Sequence, residues 1–295
     1  MATSTIGNAG RLARLGFEVP PHAYFVISAL FHYLGPAFAV LLFRHVDVLG
    51  VAWLRIATAA VVFAIWRRPW RAMRNASRRQ LALLIALGAV LGVMNSVFYL
   101  AIERLPLGTV GAIEFLGPIL LAAFGARTFR NIAALCVAVL GVWCLMDVQL
   151  AVEPLGLVLA FANCALFMLY VILGHKIAAD GGASGIDRLA AAMLVAFVVV
   201  SPIGLRDALQ AFTAPSLLAA GIAVGVCSSI IPYVCDQLAM ARLSRATFAL
   251  MLSLLPAIAV LIGSIVLHQI PSVVETMGIA LVIAGVALHR PSEER

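Results

Sequence analysis

Charge is what this sequence has least of. Asp, Glu, Lys and Arg together make up 11% of its 295 residues, against 64% hydrophobic residues, and the mean hydropathy is +1.09. A water-soluble domain carries roughly 25% charged residues, and much of any folded surface must face water. A chain this apolar could not hide its surface from water, so an ordinary soluble domain is excluded and lipid is the solvent to expect. Catalytic signatures are missing too: HExxH, GxSxG, a P-loop and GxGxxG do not occur. The expectation is a non-enzyme without a cofactor, and with no ATP site any uphill work must draw on an ion gradient. The five cysteines, Cys136, Cys144, Cys164, Cys227 and Cys235, all fall in apolar runs and form no CxxC. Disulfide and metal readings therefore fail, and small, buried, inert thiols are expected. Residues 1–20 are polar and hold no apolar core, so no cleavable signal peptide is expected there.

The net charge of +7 raises nucleic acid as a partner, but its distribution excludes it. The basic residues are nearly all arginines in short gaps between apolar runs, without the interleaved exposed aromatics that a nucleic-acid groove uses. A membrane span needs about 20 mostly apolar residues. Ten segments qualify: 23–43, 49–66, 81–101, 109–126, 131–147, 155–175, 189–206, 215–238, 247–267 and 273–288. With the N-terminus inside, the inner segments hold sixteen basic residues and the outer loops three, Arg44, Arg104 and Arg206; Arg55 lies within a span. That is a strong positive-inside bias. A missed or invented span would reverse every later loop and destroy it. The expected fold is an all-α membrane protein of ten transmembrane helices, multi-pass in the plasma (inner) membrane, with both termini cytoplasmic and lipid around it.

The chain also repeats itself. Ala101-Ile102-Glu103-Arg104-Leu105 through Pro118 aligns without gaps on Ala239-Met240-Ala241-Arg242-Leu243 through Pro256, and Ala29-Leu30-Phe31 echoes Ala165-Leu166-Phe167. Five spans separate the copies, an odd number, so the copies enter the membrane in opposite senses. This predicts a tail at 1–22, a first five-helix repeat at 23–147, a second at 155–288 and a tail at 289–295. Inverted repeats are a transporter architecture with the site at the repeat interface near the midplane.

An ionisable group deep in a span costs at least about 2.5–3.5 kcal/mol and needs a reason. Glu114 is followed within a turn by Gly117 and Pro118; it reads as a substrate or proton site, or as a carboxylate paired with Arg55. A carboxyl withdrawn from water is suited to taking up and releasing a proton, and a substrate ammonium could displace that proton. Arg55 could clamp a carboxylate bidentately, snorkel to the interface or pair with Glu114. Asp236 shares a helix face with Ser229 and Tyr233, at a wet cavity or at the headgroups. Ser28, His32 and Pro36 line up on the first span, Asn95 and Tyr99 on the third, and Asn163, Phe167 and Tyr170 on the sixth. Tyr99, Glu114, Tyr170 and Tyr233 are expected to converge on one central space. The tenth span is almost wholly apolar beyond Glu275 and Thr276 and suits the periphery.

Met94-Asn95 and Phe98-Tyr99-Leu100-Ala101-Ile102-Glu103-Arg104-Leu105-Pro106-Leu107-Gly108, then Glu114-Phe115-Leu116-Gly117-Pro118, resemble the threonine/homoserine exporters of the EamA branch of the drug/metabolite transporter superfamily. So do Gly156-Leu157-Val158-Leu159-Ala160, Leu169-Tyr170-Val171, Ile231-Pro232-Tyr233 and Ser253-Leu254-Leu255-Pro256-Ala257. The resemblance implies two inverted five-helix repeats around a central cavity, export of small amino acids, and functional roles for Asn95, Tyr99, Glu114 and Asp236. The pattern departs at Asp236, where the family usually has glutamate, at Leu255, where it has an acid, and at Leu267-His268-Gln269, where it has an LGE-type turn. The expected function is a secondary transporter exporting small amino acids, threonine- or homoserine-like, by proton exchange. Its expected partners are a small amino acid or polar metabolite and protons, its expected site residues Glu114, Asp236, Asn95, Tyr99, Tyr170, Tyr233, Arg55 and His32, and it holds no metal. The alternatives are an exporter of drugs or other polar metabolites on the same scaffold, and a non-transporting membrane enzyme or scaffold.

Overall fold

A computed structural model describes residues 20–125, 128–150, 153–179, 185–240, 251 and 254–288. Among these residues there is helix and no strand. The helices are α1 (Pro21–Leu42), α2 (Val48–Arg67), the short α3 (Pro69–Asn75), α4 (Arg78–Arg104), α5 (Leu107–Gly125), α6 (Phe129–Leu150), α7 (Pro154–Ala179), α8 (Gly185–Ala208), α9 (Pro215–Gly225), α10 (Ile231–Met240), α11 (Leu255–Leu267) and α12 (Val273–Leu288). One 3-10 turn, Leu209–Thr213, follows α8, and a π-helical turn, Val226–Ile230, joins α9 to α10 in one continuous rod. Six helices are long and apolar enough to cross a membrane, and four more apolar helices are shorter in their described parts. The basic residues Arg11, Arg14, Arg127, Arg242, Arg245, Arg290 and Arg295, both expected tails save Pro20 to His22, and most of 247–253 in the ninth expected span lie outside the described residues.

The helix ends follow from local chemistry. Proline opens α1, α3, α9 and α11 in the first turn, where the missing N–H costs no helical bond. Ser77 and Gln80 form a reciprocal cap at the start of α4, with Ser77 Oγ accepting from Gln80 N at 3.2 Å and Gln80 Oε1 accepting from Ser77 N at 3.0 Å. Ser272 and Glu275 repeat the device before α12. Arg68 and His268 end α2 and α11 in left-handed conformations, with φ of 51° and 57°.

Packing rests on close approaches that only small residues permit. α6 lies along α12, where a Cβ on Gly141 would stand 2.5 Å from the Gly278 carbonyl oxygen. α1 meets the π-helical turn so closely that a Cβ on Gly35 would be 2.7 Å from Ser228 N. Helix pairings recur in the two halves. α4 packs on α7 as the α9–α10 rod packs on α1, and α5 packs on α7 as α11 packs on α1. Polar ties join the halves at both ends of the bundle. Asp47 and Gln210 exchange two hydrogen bonds, and Gln269 Oε1 accepts from Leu107 N at 3.0 Å at the same end; Arg67 and Asp187 form an ion pair of 2.7 Å at the other.

The cysteine expectation needs a correction. All five thiols are free, but only Cys164 is buried; Cys136 is exposed and the rest are partly so. An apolar run in a membrane chain marks lipid-facing surface as readily as core, and sequence cannot separate the two.

Candidate functional site

The centre of the bundle is organised by a broken helix. Residue 232 is proline, so the N–H that an α-helix would direct to the Ser228 carbonyl is missing. The π-helical turn just before it presents Ser228 and Ser229 to α2. Arg55, two turns into α2 and only 4% exposed, fills the gap: Nη2 donates to Ser228 O at 3.0 Å and Nε to Ser229 Oγ at 2.9 Å. The Tyr99 ring of α4 carries the guanidinium on its face, 5.3 Å from Cζ, and Tyr99 Oη lies 3.5 Å from Ser228 Oγ. Ser28 Oγ of α1 donates to Pro232 O, in the first turn of α10, at 3.1 Å. Arg55 is therefore neither snorkelling nor ion-paired with Glu114. Its bonds hold α2 to the broken rod, and Nη1 is left over.

Glu114 enters from α5 and is 6% exposed. Its Oε2 has no hydrogen-bond partner, and no ion pair is formed by it among the described residues. Asn163 of α7 is wholly buried with both amide atoms unpartnered, and Tyr33 of α1 is wholly buried with an unpartnered hydroxyl. Tyr33 Oη sits over Gly111, one turn before Glu114, where a Cβ would be 3.1 Å from it. These three residues account for every buried side-chain polar atom without a partner among the described residues.

A cavity of about 40 Å³ joins Arg55 to Glu114 and Asn163, with Tyr33 outside its lining. Its walls are His32 and Pro36 from α1, Arg55 from α2, Met94, Asn95 and Phe98 from α4, Glu114 from α5, Asn163, Phe167 and Tyr170 from α7, and Tyr233 from α10. Six of the eight expected site residues thus share one space. Tyr99 lies behind Arg55 as its platform, and Asp236 is half-buried one turn past Tyr233, outside the lining. Asn95 spends Nδ2 on Leu91 O at 2.7 Å, and Phe167 stacks on Tyr170 at 6.2 Å. A larger recess of about 290 Å³ lies at one end of the bundle around Gly108, His268, Gln269 and Glu275. Gln269 and Glu275 are already engaged in turn and cap hydrogen bonds there, so the central cavity is the candidate site. No group of three or more His, Cys, Asp or Glu placed to hold a metal is found among the described residues.

The comparisons fit this geometry. The threonine/homoserine exporter RhtA of Salmonella typhimurium (strain LT2) is 33% identical over 254 residues, 85% of this chain and 84% of that protein. RhtA of Escherichia coli (strain K12) is 33% identical over 255 residues with the same coverage. The EamA-like transporter family matches residues 154–289. The chain belongs to that family. A crystal structure of a protein superposes with a TM-score of 0.61 over 90% of this chain and 96% of the other at 16% identity, which speaks to the fold alone.

As an EamA-family membrane transporter the chain places polar groups where the sequence pointed, with two omissions. Asn163 was visible in the stripe on the sixth span, but its standing as an unpartnered buried amide was not. Tyr33 had no signal, because a tyrosine among apolar residues reads as core. Its spacing from His32 puts it on another helix face, outside the cavity lining, and its hydroxyl ends over Gly111.

Proposed function

We propose that this EamA-family chain is a secondary transporter that exports small amino acids, threonine- or homoserine-like, across the plasma membrane in exchange for protons. The observation that carries the reading is a buried carboxyl without a hydrogen-bond partner on Oε2, Glu114, facing the same cavity as a buried, anchored arginine. Glu114 takes a proton or a substrate ammonium in turn. The Arg55 guanidinium, held by Ser228, Ser229 and Tyr99, keeps one face toward the cavity for the substrate carboxylate. His32 and Tyr33 of α1, Cys164 and Tyr170 of α7 and Tyr233 of α10 are among the other titratable groups around Glu114, with Asp236 one turn further along α10. Similarity to threonine/homoserine exporters supports the substrate class.

The architecture we propose has ten spans, as two inverted five-helix repeats at 23–147 and 155–288, with the tails 1–22 and 289–295 cytoplasmic. The recurrent helix pairings of the two halves and the sixteen-to-three asymmetry of basic residues support it. In the conformation described, about 40 Å³ holds a few water-sized groups, so a whole amino acid enters only when the halves part. Alternating access in inverted-repeat transporters supplies that motion.

Counterflow of labelled threonine in proteoliposomes tests the function. Accumulation of label against preloaded threonine is expected. Counterflow with drugs or unrelated metabolites, but not with threonine or homoserine, would transfer the scaffold to another substrate class. No counterflow with any solute would favour a non-transporting protein. Topology is tested separately: a cysteine placed at Ser77 should resist an impermeant thiol reagent from outside, because residues 67–79 carry six arginines and no acid.

A further inference from the structure

Away from the central cavity, one positive patch lacks a counter-charge. Residues 67–79 hold six arginines and no acid. Arg67 is taken: it pairs with Asp187 of α8 at 2.7 Å, and its Cζ lies 5.6 Å from the centre of the Trp66 ring. Arg68, Arg71, Arg74 and Arg78 are exposed, and among the described residues their side chains form no hydrogen bond or ion pair. The local fold fixes where three of them stand. Arg68 ends α2 and also caps the start of α3, in its left-handed conformation. No linker separates the two helices, so the direction of α3 follows from that of α2. A helix of seven residues is not stable in water by itself, and α3 is held by packing on α8.

That packing gives α3 two faces. Pro69 is buried, and Met73 and Ala76 pack against the core; positions 69, 73 and 76 share one side at the helical period. Trp70, Arg71 and Arg74 are exposed on the other side, where residues three and four apart are neighbours. Trp70 and Trp66, the latter in the last turn of α2, are each about half exposed. Tryptophan collects at the membrane–water interface, and a helix with basic and tryptophan side chains on its open face lies in that interface. A partner for this face must bring negative charge to guanidinium groups and apolar surface to an indole. A phosphodiester offers a guanidinium two oxygens in a matching fork. A phospholipid carries that group at the depth where a tryptophan ring sits. A free phosphate has nothing for the indole, and a zwitterionic lipid has no net charge for the arginines. We infer that α3 is a docking site for an anionic phospholipid, with Arg68, Arg71 and Arg74 on the headgroup phosphate and Trp70 against the glycerol and upper acyl chains. The bound lipid holds together the ends of α2 and α8 that Arg67 and Asp187 join. The site takes no part in solute recognition, so it stands or falls apart from the export reading.

The test needs no transport. Purified protein in an uncharged detergent is melted with phosphatidylglycerol, with phosphatidylcholine of the same acyl chains, and with glycerol 3-phosphate. A ligand that binds only the folded state raises the Tm. Phosphatidylglycerol should raise it and the other two should not, and high salt should shrink the shift. Arg68→Gln, Arg71→Gln and Arg74→Gln should each weaken phosphatidylglycerol binding about fivefold. Each should leave the Tm of lipid-free protein unchanged, because no internal bond of these side chains is lost. A second measurement keeps every arginine. In nanodiscs of mixed phosphatidylglycerol and phosphatidylcholine, bromine on the phosphatidylglycerol chains should quench tryptophan fluorescence more than bromine on the phosphatidylcholine chains. Trp70→Phe should abolish that difference. Equal Tm shifts from the two lipids, or none from either, would overturn the site. A shift from glycerol 3-phosphate as large as that from phosphatidylglycerol would make the patch a free-anion site instead. Equal quenching by the two brominated lipids, or an undiminished phosphatidylglycerol shift in the variant lacking all three arginines, would overturn it as well.

Discussion

The two walls of the central cavity treat buried charge in opposite ways. At the α2 wall, Arg55 is satisfied: two hydrogen bonds run to the broken rod and an aromatic face lies beneath the guanidinium. At the α5 wall, Glu114 Oε2 has no hydrogen-bond partner. Both groups sit at similar depth, so burial does not distinguish them. The difference lies in Pro232, which frees a carbonyl within reach of Arg55, while no hydrogen bond satisfies Glu114 Oε2. A charge anchored by internal bonds, as Arg55 is through Nε and Nη2, is held in place by the frame while Nη1 stays available. A charge left with unused hydrogen-bonding capacity is available to a ligand or a proton.

The sharpest way to break this comparison is to neutralise each wall. Glu114→Gln should reduce pH-driven threonine accumulation in proteoliposomes to background, with expression, monodispersity and Tm close to wild type. A Tm drop as large as that of an Arg55 variant would mean that Glu114 is also framework. Arg55→Met should differ by also lowering stability, by about 1–3 kcal/mol, because it strands the Ser228 carbonyl; thermal melting of purified protein measures it. Arg55→Lys should recover little, since an ammonium cannot reproduce the two directed N–H bonds of the guanidinium.

Smaller effects sharpen the boundary of the framework wall. Gly35→Ala places a Cβ 2.8 Å from Ser228 Cα and 2.7 Å from its nitrogen. It should cost about 1–3 kcal/mol by forcing α1 off the π-helical turn, and loss of threonine affinity should accompany the lower Tm. A fully wild-type Gly35→Ala would show that this contact gives way freely. Asp236→Asn should produce the mildest defect, a partial loss of pH-driven accumulation, because Asp236 lies outside the cavity lining. A loss as complete as that of Glu114→Gln would move the coupling site along α10.

The sequence by itself determined the membrane class, the described helices and most of the site's membership. Apolar runs of span length and arginines concentrated in one set of loops are local properties, and the observed helix limits fall within a few residues of the expected ones, 78–104 against 81–101 for the longest. The stripe Asn163, Phe167, Tyr170 needs only the helical period, and all three residues line the cavity. Tertiary structure alone decided what each polar group meets. Arg55 had three open fates in the sequence, and the choice depended on a carbonyl freed by a proline 177 positions away. Tyr99 became a platform and Asp236 fell outside the lining, although both sit on the expected polar faces. Tyr33 came to lie over Gly111 because a glycine on α5 lets α1 come close. Hydropathy and period report which face of a helix is polar. Whether a polar atom on that face finds a partner is set by distances of about 3 Å between helices, and those distances depend on every contact in the bundle.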